Sequence, residues 1–338
     1  MDKSQQTIWQ LLDSRQPGGI ESHILELCIG LKEAGWAVKV VFLTDYGRHP
    51  LKEQLGAHSI AYKCLDGKAN SLWEALSDEK PLVLHTHGYK AGFLGRFFGN
   101  FHRVPVISTY HAGEETKGKL ALYTFLDRLS APLSTPIAVS KQIAKKLPKK
   151  THCINNFVSI PDHSPTPYQG RVAFVGRLSE EKGPDLFCKI AQRSPQLSFH
   201  LYGDGPMRKE LEETYGNHVT FHGQVNMEDH WQNIDLLCMP SRFEGLPMAA
   251  LEAMARSIPV LASNVGAFPV LIEQNQTGWV LPLEQLSEFN TALNHWHHMD
   301  THLRQMIGQT ARQKVKALYS PQAIIPQIEE IYLQAAGE

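Results

Sequence analysis

Short runs rich in β-branched residues alternate with amphipathic stretches, and the alternation happens twice. In the first half the runs are TIWQLLD, AVKVVFLT, SIAYKCL, PLVLHTH, PVISTYH and PIAVS, with helical patterns between them, for example over 21–33 and 90–102. FVSIPDHSPTPYQG (157–170) then interrupts with prolines and no periodicity, as a linker does. Beyond it the pattern restarts with RVAFVG, LSFHLYG, VTFHGQV, DLLCMPS, PVLASN and GWVLP. Strands that alternate with helices make parallel sheets covered on both faces. The expected fold class is therefore α/β: two doubly wound, Rossmann-like domains facing a cleft. The expected bounds are 1–160 and 161–319, with a last helix over 320–338 packing back on the first domain. A chain of 338 residues has room for two such domains.

Composition removes several classes. Hydrophobic residues at 42% and charged residues at 20% are those of a water-soluble globular chain. A net charge of −1 gives no global attraction to nucleic acid. The start shows no basic segment leading into an apolar core, and no run reaches the ~18 apolar residues of a spanning helix. The five cysteines are scattered, without a CxxC pair, as in reduced cytoplasmic proteins. YGDGPMRKEL (202–211) begins like a dinucleotide fingerprint but carries Arg208 where the last glycine belongs. No P-loop sequence and no Asp-x-Asp occurs.

SRFEGLPMAALEAMARSIPVLAS (241–263) is nearly all apolar or small, yet holds Glu244 and Glu252. DLLCMPS reads as a buried strand, and Pro247 suits the first position of a helix running to about Arg256. Glu244 then stands in the strand-to-helix loop, at the strand's carboxyl end, where open α/β sheets bind ligands. The amides of Gly245 and Leu246 at the helix start suit a phosphate. A carboxylate on either side could accept bonds from sugar hydroxyls. The bland readings are a dipole-stabilised Glu244 and a surface Glu252–Arg256 pair. In FVGRLSEEKGPDLF (174–187), Arg177 and Lys182 flank a strand-to-helix loop and could neutralise a diphosphate; Glu180 and Glu181 could equally compensate them. Gly18 and Gly19 open a helix and permit close backbone approach.

GGIESHILELCIGLKEAGWAVKVV, STYHAG, AVSKQI, FVGRLSEEKG, LYGDGP and the long Glu-x7-Glu block occur in this order. Together they resemble the retaining nucleotide-sugar glycosyltransferases of family 4, which have the GT-B fold. The resemblance spans nearly the whole chain. It implies that Glu244 contacts donor-sugar hydroxyls, Glu252 the ribose, and Arg177 and Lys182 the diphosphate. The Gly18–Gly19 loop and the amides near Gly245 and Leu246 would assist, and His111 would touch the sugar. INNFVS (154–159) departs from the Asn-Gly-Val-Asp that many members carry before the linker.

The implied activity is transfer of a hexose from a UDP- or GDP-sugar to a glycan or lipid-linked acceptor, with retention and without a metal or other cofactor. Such proteins commonly serve polysaccharide or lipopolysaccharide assembly. The alternatives are an epimerase or hydrolase of nucleotide sugars, or an inactive nucleotide-sugar-binding protein on the same fold. HTH (85–87) and HWHH (295–298) are metal ligands by composition, but with no nearby Cys or acidic partner no metal site is expected. KQIAKKLPKK (141–150) and KAGFLGRFFGNFHR (90–103) could meet an anionic membrane, giving a cytoplasmic protein peripheral at the inner face. The bland readings are a solvated helix end and a core helix.

Overall fold

The computed structural model describes residues 2–15, 18–111, 119–148, 150–162, 167–245 and 247–337; of 119–123 and 142 only the backbone is described. The chain divides into two compact units, Met1–Phe157 with Pro321–Glu338, and Val158–Ser320.

The first unit is built on a parallel sheet of seven strands: β1 (Thr7–Leu12), β2 (Ala37–Phe42), β3 (Ala61–Cys64), β4 (Val83–His87), β5 (Val106–Tyr110), β6 (Thr135–Ala138) and β7 (His152–Cys153). Their order is β3-β2-β1-β4-β5-β6-β7. The second unit has six: β8 (Arg171–Val175), β9 (Ser198–Tyr202), β10 (Thr220–Gly223), β11 (Leu236–Met239), β12 (Val260–Ser263) and β13 (Gly278–Leu281). Their order is β10-β9-β8-β11-β12-β13. Every pairing is parallel. This is the expected α/β class, and each expected strand is present.

Period-two alternation decides what each face of the first sheet meets. Trp9 and Leu11 pack with Leu72, Ala75 and Leu76 of the helix Ala69–Asp78. Ile8 packs instead with Leu27 and Leu31 of the helix Gly19–Glu33, and with Ile324, Ile328 and Tyr332 of the helix Pro321–Ala336. Gln10 shares that second face and is fully buried. The register sets Gln10 beside His85, Leu12 beside His87, and His87 beside Thr109. A polar row thus runs under the two helices, inside an otherwise apolar layer.

The helix Tyr89–Phe101 packs as a core helix: Arg96 on it is 1% exposed. Its outer side leaves Phe97 and Phe101 exposed. The five cysteines are free thiols. No described helix is long and apolar enough to cross a membrane.

Candidate active site

Three loops at the carboxyl ends of β8, β11 and β12 converge in the second unit. The loop after β8 carries Arg177, then a short 3-10 turn, Glu180–Lys182, closed by Gly183. Gly183 has φ +70, and a Cβ there would stand 2.1 Å from the Pro240 carbonyl oxygen. Only glycine lets this loop lie against the end of β11. Two amides then fasten the loops: those of Arg242 and Phe243 donate to the Glu181 carbonyl at 2.8 and 3.0 Å. The Arg242 guanidinium adds a forked pair, reaching both Asp185 carboxylate oxygens at 2.7 Å.

This fastening brings Lys182 onto Glu244. Lys182 Nζ donates to Glu244 Oε1 at 2.8 Å, and Ser241 Oγ donates to the same oxygen at 3.2 Å. Glu244 is 3% exposed, whereas the Lys182 side chain is 32% exposed. The carboxylate is therefore held inside while its cation reaches outward. The third loop clamps the backbone: Gly266, at φ +58, lies so close that a Cβ would stand 2.0 Å from the Glu244 carbonyl oxygen. The Ala267 amide donates to the Gly245 carbonyl at 3.1 Å. Gly266→Ala is expected to displace Glu244 and lower kcat/KM at least tenfold. Steady-state kinetics on a variant shown folded by circular dichroism checks this.

Arg177 is exposed and makes no ion pair among the described residues. Its charge nonetheless acts on the neighbouring Glu181. Burial alone would raise the Glu181 carboxyl. A hydrogen bond from Ser179, with Arg177 and Lys182 nearby, outweighs burial and holds it below its usual value. Glu252 is half-buried on the helix Met248–Ala255 that leaves the Glu244 loop. Pro247 caps that helix in an extended conformation, ψ 112, instead of opening it. Arg256 does not form a simple surface pair with Glu252. It is 7% exposed, donates to the Glu252 carbonyl at 3.0 Å, and grips both oxygens of Glu228 at 2.5 and 2.7 Å. Leu246 lies outside the described residues.

Gly18, Gly19 and His111 belong to the first unit. Gly18 caps the helix Gly19–Glu33 in extended backbone. Ile20, at that helix start, and His111, just beyond β5, line one pocket with Tyr89 and Arg96. His87 Nδ1 and His111 Nε2 are 3.1 Å apart, and His87 Nε2 is 2.8 Å from Gln10 Oε1. Gln10 Nε2 donates to the Tyr332 hydroxyl at 3.3 Å. The amide oxygen can only accept, so His87 carries its proton on Nε2 and presents a lone pair at Nδ1. His111 Nε2 then donates to that lone pair. Tyr332, already accepting, donates to His85 Nδ1 at 2.6 Å, and His85 Nε2 donates to Thr109 Oγ1 at 2.7 Å.

Sequence reasoning missed Ser241, Arg242, Asp185 and Gly266 as parts of the site. Arg242 stands within the SRFEG run, but nothing in the spacing pairs it with Asp185.

Both units resemble known proteins. Residues 162–314 match the family described as "Glycosyl transferases group 1", and residues 17–160 match "Glycosyltransferase Family 4". An Escherichia coli UDP-Gal:alpha-D-GlcNAc-diphosphoundecaprenol alpha-1,3-galactosyltransferase is 25% identical over 78% of each chain. The Escherichia coli O-antigen biosynthesis glycosyltransferase WbnH is 35% identical over 40% of each chain. Among solved structures, Anabaena HepE in complex with UDP-glucose superposes with a TM-score of 0.81. That match covers 96% of this chain and 99% of that one at 20% identity. The chain belongs to the family 4 glycosyltransferases of GT-B fold. It is a transferase enzyme.

Proposed function

We propose that the chain transfers a hexose from a nucleoside-diphosphate sugar, UDP- or GDP-linked, to a glycan or lipid-linked acceptor, with retention of anomeric configuration. The observation that carries this is the buried Glu244 carboxylate tied to Lys182, with the unpaired cation Arg177 on the same loop. Arg177 and Lys182 hold the diphosphate, with the Gly245 and Leu246 amides assisting. Glu244 accepts from sugar hydroxyls and Glu252 from the ribose. His111 belongs to the first unit, and its ring nitrogens are engaged or buried.

The chemistry then needs no protein nucleophile. The bond from the anomeric carbon to the phosphate oxygen breaks, and the electron pair leaves with the diphosphate. The acceptor oxygen bonds to the oxocarbenium-like carbon on the face just vacated. Its proton passes to the departing phosphate oxygen. Fixed cations stabilise the charge that develops on the leaving group, the role a metal plays in other transferases. Names of relatives that build lipid-linked glycans and O-antigen support this substrate class. The test is nucleoside-diphosphate release from UDP-, GDP- and ADP-hexoses, with the product anomer read by NMR. Release with a retained anomer, changed less than twofold by added Mg²⁺ or Mn²⁺, is expected. An inverted product would overturn the retaining mechanism.

A lipid-linked acceptor would place the first unit at a membrane. Phe97, Phe101, Leu129 and Leu133 are exposed at helical spacing, and the Asn100 amide donates to the Leu133 carbonyl at 2.8 Å, joining the two segments. Lys141, Lys145, Lys146 and Lys150 are exposed in the same unit. Each could add ~1 kcal/mol at an anionic surface. The chain is expected to float with phosphatidylglycerol liposomes and F97S/F101S to remain in the soluble fraction; wild type staying soluble counts against membrane contact.

A further inference from the structure

The first unit gathers histidines, of which the family resemblance relates only His111 to the donor. One ring nitrogen from each of His23, His87 and His111 lies within 4.8 Å of the other two. His23 comes from the second turn of the helix Gly19–Glu33, His87 from the end of β4, and His111 from just beyond β5. We propose that these three imidazoles form a binding site for one divalent transition ion of the zinc class.

Three features of the cluster favour an ion over a plain hydrogen-bonded group. His23 is 3% exposed, and its Nδ1 has no hydrogen-bond partner among the described residues. A buried polar atom left unmet costs about 1–3 kcal/mol, and folded chains keep few of them. His87 is already oriented as metal-bound histidines are. Its Nε2–H is held by the Gln10 amide oxygen, leaving Nδ1 for an ion. His87 Nδ1 and His111 Nε2 stand 3.1 Å apart. Two ligands about 2.0–2.1 Å from a tetrahedral ion are separated by about 3.4 Å, so this edge is nearly formed. The wider edges need to close by at most about 1.4 Å, a side-chain rotation.

Binding requires no net proton release. His111 Nε2 gives up the proton it shares with His87 Nδ1, and His111 takes one on Nδ1, changing tautomer. Both nitrogens then face the ion with lone pairs. His85, although it shares a face with His87, is excluded: Tyr332 and Thr109 occupy its two nitrogens. Three protein ligands leave the fourth tetrahedral position to water. The ion would tie the start of the helix Gly19–Glu33 to the ends of β4 and β5, fixing the His111 ring. It takes no part in the departure of the diphosphate, and the inference stands whichever donor the second unit uses. It also revises the sequence-based expectation of no metal, which considered HTH without His23 and His111.

The test uses the full chain, without a polyhistidine tag, stripped by chelator and titrated with Co²⁺ and then Zn²⁺. One Co²⁺ per chain is expected, with visible d–d absorption of tetrahedral intensity that Zn²⁺ abolishes. His23→Gln and His87→Gln should each weaken binding at least tenfold. Gln10→Ala, which removes the group orienting His87 along with its bond to the Tyr332 hydroxyl but no proposed ligand, should weaken it about 10–100-fold. His298→Gln, on the helix Leu286–His298, should bind as wild type. If His23→Gln or His87→Gln fails to fold in chelator, the Gln10→Ala result decides. Wild type binding no Co²⁺ of tetrahedral signature, or undiminished binding in the folded His23, His87 or Gln10 variants, overturns the proposal.

Discussion

Lys182→Ala is expected to lower turnover by roughly 10²–10³, the loss that follows removal of one preorganised group stabilising transition-state charge. The geometry makes Lys182 more than a surface cation. Its Nζ is fixed 2.8 Å from a carboxylate that is 3% exposed. The Arg242–Asp185 fork and the amides on the Glu181 carbonyl hold the two loops in register around it. A cation so held is in place before the diphosphate bears its second charge. Removing it also leaves Glu244 with the Ser241 hydroxyl as its remaining partner among the described bonds. Loss of stability should therefore accompany loss of rate, since an uncompensated buried charge is costly. Lys182→Arg should recover part of the rate, and Arg177→Ala should show the same order of loss. Single-turnover kinetics at saturating donor read the effect. A turnover within twofold of wild type in Lys182→Ala would refute the role.

Asp127→Ala is expected to destabilise the first unit by about 3–5 kcal/mol, because it strands a buried guanidinium. Arg96 is 1% exposed. It donates to Asp127 Oδ1 at 2.6 Å, to the Asp127 carbonyl and Ser130 Oγ at 2.8 Å each, and to the Tyr110 hydroxyl at 2.9 Å. Burial pushes the Asp127 carboxyl up to about 6 against the pull of Arg96, so at neutral pH the pair is ionised. Arginine cannot shed its proton to escape. Without the carboxylate its charge stays inside, met by neutral oxygens. Asp127→Asn, which keeps an acceptor, should cost less. Thermal unfolding at pH 7.5 should show Tm falling by about 6–20 °C for the alanine variant. A loss below about 1 kcal/mol would mean the pair contributes little.

The strands were legible because most read as short apolar or β-branched runs between polar loops, and the central ones, such as β4, β5 and β11, are buried throughout. β7 was not: two residues, His152 and Cys153, carry no period. The helix after Glu244 begins one residue later than proline chemistry suggests, because Pro247 takes the extended conformation of a cap. Glu244 and the cations Arg177 and Lys182 could be singled out from residue type and position at strand ends. What spacing cannot express is the partnership between distant loops. Asp185 meets Arg242, Glu181 receives the next loop's amides, and Gly266 presses on the Glu244 carbonyl. The histidines show the same limit. Period two puts His85 and His87 on one face, yet only the packed helices decide that Tyr332 engages one and His23 approaches the other.

The central claim is that the second unit holds the donor diphosphate on Arg177 and Lys182. A crystal structure with the nucleoside diphosphate bound tests it most directly. The account predicts phosphate oxygens within hydrogen-bond distance of Lys182 Nζ and the Arg177 guanidinium, beside the Glu244 loop. A diphosphate bound elsewhere, with both cations left in solvent, would contradict it.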